Sequence, residues 1–478
     1  MVVADFIALA PILILAAASL TAMMVTAFVR QHAIVAGATV LGLGAALGSL
    51  PLAMSAVPRS ITLLLIVDRY AIFYLGLILA AGLCVAIMSY GYLIRLDDQR
   101  EEYYLLLLLA TLGGTVLTAA AHFASFFLGL ELLSVSLYGL IAYLRDSGQS
   151  LEAGIKYLIL SAASSAFLLF GMALIYHETG TMAFAQLAQV VGQAPESPGW
   201  LVGLAMILTA VGFKLAIVPF HMWAPDVYQG APAPVTAFVA TLSKGAVVAL
   251  LLRYVLQVNA LQSSLWQILW LIAVLSMFVG NLLALLQENV KRILAYSSIA
   301  HLGYLLVAFL AGGALATEAV AVYLVAYFIT TLGAFGVVTV LSRPGDEQDQ
   351  LHDYAGLFWR RPWLSACMIL MLLSLAGIPL TAGFIGKFYI IAAGLDSDLW
   401  LLVILFVINS VIGLFYYLRI IITMTLDDPD TTAESLSQKP DTFWTQHLTL
   451  AALTLLLLWF GIYPAPLIRM VQLLASPA

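Results

Sequence analysis

The sequence predicts an all-α polytopic membrane protein of about fourteen membrane-crossing helices, and three observations predict it. The 478 residues are 63% hydrophobic and only 9% charged, with a mean hydropathy of +1.05, whereas a soluble domain carries roughly 25% charged residues. Apolar runs of about 20 residues, the length that crosses a bilayer, recur along the chain with short polar breaks. Two of these runs carry an internal proline, Pro219 and Pro379, the pattern of the interrupted helices found in transport folds.

Taken in order, the predicted helices fall near 5–29, 33–54, 69–94, 103–121, 123–143, 157–177, 201–223, 233–256, 264–286, 293–313, 315–341, 364–392, 398–425 and 443–473. The most polar loops are 95–102, 178–199, 343–362 and 427–442. None is long enough to fold as a separate soluble domain. Residues 1–102 hold three N-terminal helices, 103–256 and 264–425 hold five each, and 443–478 holds a last one. An odd helix count makes the second five-helix group start from the opposite face, so the groups are expected to be inverted repeats. The discontinuous helices, 7 and 12, are then the fourth of each. In VGFKLAIVPFHMWAP (211–225) Pro219 is expected to remove a backbone donor and clash with the carbonyl of Leu215. In LSLAGIPLTAGFIGKFY (373–389) Pro379 stands between Gly377 and Gly383.

Orientation follows from the distribution of basic residues. Loops after odd-numbered helices, with their margins, hold twelve: Arg30, Arg95, Arg100, Arg145, Lys156, Lys291, Arg292, Arg343, Arg360, Arg361, Arg419 and Lys439. Loops after even-numbered helices hold Arg59, Arg69 and Arg253, and the C-terminal end adds Arg469. Odd loops are therefore expected to be cytoplasmic and both termini periplasmic. The three lysines left over, Lys214, Lys244 and Lys387, lie inside predicted helices, and so does Glu131. A charge at that depth costs about 2.5–3.5 kcal/mol on insertion scales. Four such charges point to movement of something charged through the membrane.

Composition excludes several other functions. The net charge of −6 is spread over short loops, with no basic patch for nucleic acid or anionic lipid. Cys84 and Cys367 both lie in apolar runs, which argues against disulfides and iron–sulfur ligation. There is no phosphate loop, GxGxxG, HExxH or CxxC, and the acids and histidines lack metal-ligand spacing. The first basic residue, Arg30, follows the first apolar run, so residues 1–29 do not read as a cleaved signal peptide.

Glu131 shares a helix face with Ser134 and Tyr138, at i+3 and i+7. Paired with Lys214, which precedes the Pro219 break by five residues, it would neutralise both charges and make their protonation mutually dependent. The bland alternative is an inert buried ion pair. Lys244 stands midway along the eighth helix, with nothing on that helix to neutralise it. Lys387 follows Pro379 by eight residues, with Gly383 at i−4, and is the lysine nearest a helix end. For each lysine the competing reading is snorkelling to the interface. Ser297, His301 and Tyr304 share a face at i, i+4 and i+7, so His301 and Tyr304 are candidate relays between Lys244 and Lys387. A lone helical histidine is more often simply packed. His221 and Asp226 flank the loop after the first break, where Asp226 also reads as a plain turn former. Lys156, at the predicted cytoplasmic start of helix six, is a candidate for proton uptake or an interface anchor. The SAASS run at 161–165 reads as close helix packing through small residues.

Four segments carry a family resemblance. GFKLAIVPFHMWAPDVYQGAPAPVTAFVATLSK (212–244), NVKRILAYSSIAHLGYLLVA (289–308) and SLAGIPLTAGFIGKFY (374–389) resemble the antiporter-like subunits of respiratory complex I, the proton-translocating NADH:quinone oxidoreductase. SLEAGIKYLILSAASSAFLLFGMALIY (150–176) points to the bacterial N branch rather than M or L. The resemblance covers nearly the whole chain, and the chain stops without the long lateral helix that marks L. It implies fourteen helices with two inverted five-helix repeats, broken helices 7 and 12, and a proton path at mid-membrane. It matches the family's helix-five acid to Glu131 and its lysines on helices 7, 8 and 12 to Lys214, Lys244 and Lys387. It implies a bacterial inner-membrane location, membrane-arm neighbours resembling subunits M and K, and no cofactor in this chain. NADH, FMN, iron–sulfur clusters and quinone would belong to other subunits. An Mrp-type cation/proton antiporter subunit and an inert membrane scaffold are the rival readings.

Overall fold

The computed structural model describes residues 2–96, 100–191, 197–258, 263–426 and 443–475. Lys439, one of the twelve residues used for orientation, lies outside them. Among the described residues thirteen helices are long and apolar enough to cross a membrane. In order, the helices that position the site or the faces discussed below are α1 (Ala10–Phe28), α2 (His32–Met54), α3 (Arg69–Leu93), α4 (Glu101–Ala119), α5 (Phe123–Ile141) and α6 (Gly148–Thr179). Then follow α7 (Pro198–Leu215), α8 (Trp223–Gly230), α9 (Ala233–Val258), α10 (Ser263–Leu285), α11 (Val290–Ala311) and α12 (Gly313–Leu341). The last are α13 (Pro362–Ala376), α14 (Ala382–Asp396), α15 (Trp400–Thr425), α16 (Trp444–Ile462) and α17 (Ala465–Ala475). A short antiparallel hairpin, β1 (Arg59–Ile61) with β2 (Leu65–Val67), leads into α3.

The core runs through α9, α11 and α12. All of the most apolar window of α9 is buried, and 94% of that of α11 and α12, against 33% for α1. The peripheral helices leave one apolar face outward, as lipid-facing helices do. The charged candidates therefore sit on the innermost helices and on the helices that wrap them.

Both predicted breaks are present, but proline does not make the first of them. Helix α7 ends at Leu215 because Ala216 takes the left-handed conformation (φ +57°). The Ile217 amide then bonds back to the Gly212 carbonyl at 3.0 Å. Helix α13 ends in the same way: Gly377 is left-handed (φ +86°) and the Ile378 amide bonds the Leu373 carbonyl at 3.0 Å. This is the bonding pattern of the Schellman cap, and proline commonly follows it within one or two residues because it cannot continue the helix. Pro219 lies in the turn beyond the cap, so the expected clash with Leu215 is not what ends α7. Helix 7 is thus α7 and α8, and helix 12 is α13 and α14. A third irregularity carried no sequence signal: Val239–Ser243 form a π-helical turn in α9, directly before Lys244. Such turns widen a helix locally and are common at functional sites.

Other boundaries also moved. Helix α6 begins at Gly148, so Lys156 lies two turns inside the helix rather than at its start. A close backbone approach recurs at one fixed offset along the chain. A Cβ on Gly113 of α4 would strike the Leu133 amide and Gly129 carbonyl of α5, at 2.5 and 2.7 Å. A Cβ on Gly280 of α10 would strike the Ala300 amide and Tyr296 carbonyl of α11, at 2.6 and 2.8 Å. Each pair opens one of the two expected five-helix groups.

The two caps make opposite demands on substitution. Ala216→Gly relieves a left-handed non-glycine residue, which costs about 1–2 kcal/mol, and is expected to raise the thermal midpoint of the purified protein in detergent. Gly377→Ala is expected to lower it, because the new Cβ would lie 2.7 Å from Cδ of Lys387 as well as in a left-handed backbone.

Candidate functional site

The polar face of α5 meets α6 through hydroxyls. Ser165 of α6 donates to the Glu131 carboxylate. Lys214, in the last turn of α7, donates from Nζ to Ser134 Oγ of α5 and Ser161 Oγ of α6, both at 2.6 Å. Ser161 also accepts from Tyr138 OH at 3.0 Å. The SAASS run is therefore more than close packing, since Ser165 bonds the acid and Ser161 the base. The expected direct Glu131–Lys214 ion pair does not form: the acid is bonded by Ser165 and the base by Ser134 and Ser161, and Glu131 is only half-buried. Aromatic faces complete the lysine's surroundings, with Tyr157 and Phe213 ring centroids 5.5 and 5.6 Å from Nζ. The C-terminal end of α7 also favours a cation there, through its partial negative charge.

Lys244 follows the π turn and reaches across to α11, where Nζ donates to Ser298 Oγ at 2.6 Å. Ser298 in turn bonds Tyr327 OH of α12 at 2.6 Å, and the Tyr228 ring lies 5.4 Å from Nζ. Among the described residues no carboxylate pairs with Lys244. One turn along α11, His301 bonds Tyr323 OH through Nδ1 (2.7 Å) and Tyr417 OH through Nε2 (3.1 Å). Tyr417 also bonds Ser297, so the predicted Ser297–His301 face converges on one phenol of α15. The Tyr327 and His301 rings are 5.7 Å apart, which places the Lys244 and His301 networks side by side. Tyr304, next on the face, accepts from Asn281 at 2.9 Å.

Lys387 does not snorkel. Its ammonium turns back to the Ala376 carbonyl at 2.8 Å and to Ser410 Oγ of α15 at 2.7 Å. Ala376 is the last residue of α13, so the lysine of one half-helix satisfies a free carbonyl at the end of the other. Its Nζ lies 5.5 Å from the Tyr304 ring centroid, which joins it to the His301 face. Pro379 lies in the turn between the two halves.

At the other end of the first break the sequence reading needs correction. Asp226 is more than a turn former. It accepts from Lys156 Nζ at 2.7 Å and from Arg292 Nη1 at 2.8 Å, tying α6, α8 and α11 together. Lys156 pairs with Glu152 as well, at 2.7 Å. This cluster lines a polar cavity of about 160 Å³ with Gln149 and Gln229. Partial burial pushes the Asp226 carboxyl up, but the bonds and charges of Lys156 and Arg292 outweigh it and hold the group below its ordinary value. His221 is buried in the turn between α7 and α8, its Nδ1 without a hydrogen-bond partner among the described residues; it does not join Asp226. Lys291, expected in a loop, is fully buried and pairs with Glu347 at 3.1 Å. Arg253, counted at a loop margin inside the predicted helix 233–256, is buried against Asp68 through two bonds of 2.8 and 2.9 Å.

Sequence reasoning missed Tyr323 and Tyr327 of α12 and Ser410 and Tyr417 of α15; each pair is spaced to share a helix face, but neither helix carries one of the four intramembrane charges that drew attention to the others. Ser298 could have been found, since it follows Ser297 in the polar stripe. Among the described residues no group of three or more His, Cys, Asp or Glu could hold a metal.

Residues 120–413, which hold Glu131, the three buried lysines and His301, match the family described as NADH:quinone oxidoreductase/Mrp antiporter, TM. This chain belongs to that family. NADH-quinone oxidoreductase subunit N of Nitrosospira multiformis is 54% identical over 98% of this chain and 96% of its own length. A chain of respiratory complex I from Thermus thermophilus is 34% identical, with a TM-score of 0.83 over 96% of this chain and 98% of that one. A chain of the Mrp complex from Dietzia sp. DQ12-45-1b shares the fold, with a TM-score of 0.87 at 22% identity over 99% of this chain and 97% of that one.

Two outcomes test the site. Ser298→Ala leaves the Lys244 ammonium without its hydroxyl, and a lost bond to a charged group is worth about 1.5–3 kcal/mol. Proton-transfer activity is expected to fall about tenfold or more, with Ser298→Thr largely retaining it. For Asp226 the depressed value makes its contribution complete above the ordinary carboxylate range and lost only as pH falls through the folded value. The wild-type protein is therefore expected to be more stable than Asp226→Asn at neutral pH. The two should converge only in strong acid, as read by thermal midpoints across pH.

Proposed function

We propose that this chain is a proton-translocating membrane-arm subunit of an NADH:quinone oxidoreductase, working through Glu131, Lys214, Lys244, His301 and Lys387. The observation that carries this reading is the partner set of the three buried lysines: each ammonium donates to a serine hydroxyl, and among the described residues none pairs with a carboxylate. A hydroxyl accepts from an ammonium and, turned round, donates to a neutral amine. The same pocket therefore holds the lysine before and after it gives up its proton. A carboxylate would favour the charged form alone.

In this mechanism Ser165 holds Glu131 and Ser161 and Ser134 hold Lys214 on the same pair of helices without a direct ion pair, so a change at Glu131 alters the field at Lys214. Ser298 and Tyr327 carry Lys244 to the side of His301. Tyr323, Tyr417 and Tyr304 then lead to Lys387 at the second break. Moving one charge against 100 mV costs about 2.3 kcal/mol, within the reach of such shifts in a desolvated site. The polar cavity at Lys156 and Asp226 is the uptake mouth in this scheme, with His221 and the Pro219 turn between it and the axis. The five helices at 103–256 and the five at 264–425 act as two inverted repeats. The recurring glycine approach and the two matching caps favour this.

The chain itself is taken to contribute protein groups only, with NADH, FMN, iron–sulfur and quinone chemistry in partner subunits. Its neighbours would be membrane-arm subunits resembling M and K, and its place a bacterial inner membrane with both termini periplasmic. The 54% identity to a subunit N favours this complex over an Mrp-type antiporter. Flavin and iron–sulfur subunits co-purifying in mild detergent would separate the two.

Lys214→Met is expected to reduce proton pumping in inverted vesicles to a small fraction of wild type while the complex still assembles. Full pumping in an assembled variant would sink the role of Lys214.

A further inference from the structure

An apolar groove of about 810 Å³ is lined by none of the residues of the lysine axis. Its size is within the roughly 300–1,000 Å³ of small-molecule sites. It is bounded by the end of α2, by α3 and α12, and by the last two helices, α16 and α17. Its walls are hydrocarbon and aromatic, with Phe73 inside and Trp459 and Met470 at the rim, about half exposed. One ionised side chain lines it: Arg69, at the first position of α3.

Arg69 is exposed and makes no hydrogen bond or ion pair among the described residues. The neighbouring acid does not neutralise it. Asp68 is fully engaged by Arg253, at 2.8 and 2.9 Å, and by the Ala71 amide, at 2.7 Å. The groove thus has a long apolar trough and one uncompensated cation at an end of a membrane-crossing helix, where headgroups lie.

We propose that this groove is a binding site for one anionic phospholipid, its acyl chains in the trough and its phosphodiester on Arg69. The complementarity is that of an amphiphile. A partner helix would fill the trough but leave the guanidinium unpaired unless it brought an acid, whereas an anionic phospholipid supplies both parts and is the solvent of this face. Trp459 at the rim suits the boundary between chains and headgroups. The sequence held no basic patch, and the site needs none, because a single arginine supplies the headgroup contact. The proposal is independent of the proton path.

The test uses the whole complex in vesicles containing a trace of phosphatidylglycerol or phosphatidylcholine with a photoactivatable acyl chain. Adducts are mapped to peptides by mass spectrometry. Phosphatidylglycerol adducts are expected to concentrate on peptides covering 69–77 and 459–470. They should exceed phosphatidylcholine adducts there about fivefold, the weight of one basic residue near a membrane surface. Arg69→Gln should remove the difference, and Met470→Trp, which narrows the mouth of the trough, should lower both. Adducts spread evenly over the lipid-facing helices would overturn the proposal. So would a headgroup preference unchanged in Arg69→Gln, or a photo-crosslinker at position 470 that captures another subunit.

Discussion

A desolvated ammonium has to find acceptors, and it has to find them without finding a counter-ion that would hold its proton for good. Most of this structure follows from meeting both conditions three times. Lys214, Lys244 and Lys387 each end on a serine hydroxyl, at 2.6, 2.6 and 2.7 Å. A tyrosine or phenylalanine face lies near each ammonium, and Lys387 also has the Ala376 carbonyl. Those faces attract a cation electrostatically, yet they do not take a proton from it. Where a permanent ion pair is wanted, the chain builds one: Lys291 with Glu347 and Arg253 with Asp68 are buried and directly paired.

Each lysine also sits at a fault in a helix. Lys214 lies in the last turn of α7, Lys244 directly after the π turn, and Lys387 on the half-helix whose partner offers it a carbonyl. An intact helix spends its backbone groups on itself and leaves a buried side chain only what neighbouring helices supply. A break frees carbonyls and opens local space, tolerated at membrane depth where other protein covers it. The two helix ends use one device, a left-handed cap followed by proline. Ala216 fills that position in α7 despite the strain, and Gly377 fills it in α13 where a Cβ would collide with Lys387.

Away from mid-membrane, a polar network ties the wrapping helices to the core. Asp226 joins α6 to α11 through Lys156 and Arg292, and the adjacent Lys291 reaches Glu347 and the Ala231 carbonyl. Adjacent residues at the start of α11 thus grip opposite sides of the short segment that follows the first break. Any displacement of α8 is shared with α11, which carries Ser298 and His301.

The sequence by itself determined the number and order of the helices, the two interruptions and the four costly charges. Each of those is a local property: twenty apolar residues, a proline between glycines, an ion where hydrocarbon is expected. The stripe of Glu131, Ser134 and Tyr138, and that of Ser297, His301 and Tyr304, were legible for the same reason, as residues of one helix on one face. Only the tertiary structure decided what those groups touch. It gave Glu131 to Ser165 and Lys214 to Ser161 and Ser134 instead of an ion pair, and it turned Lys387 inward. It made Asp226 a junction, and it buried Lys291 and Arg253, which the sequence had placed only by their nearest loops. Hydrogen bonds between helices join residues up to more than a hundred positions apart, as His301 to Tyr417 does. No spacing along one helix encodes such a contact; it exists only once the helices have packed.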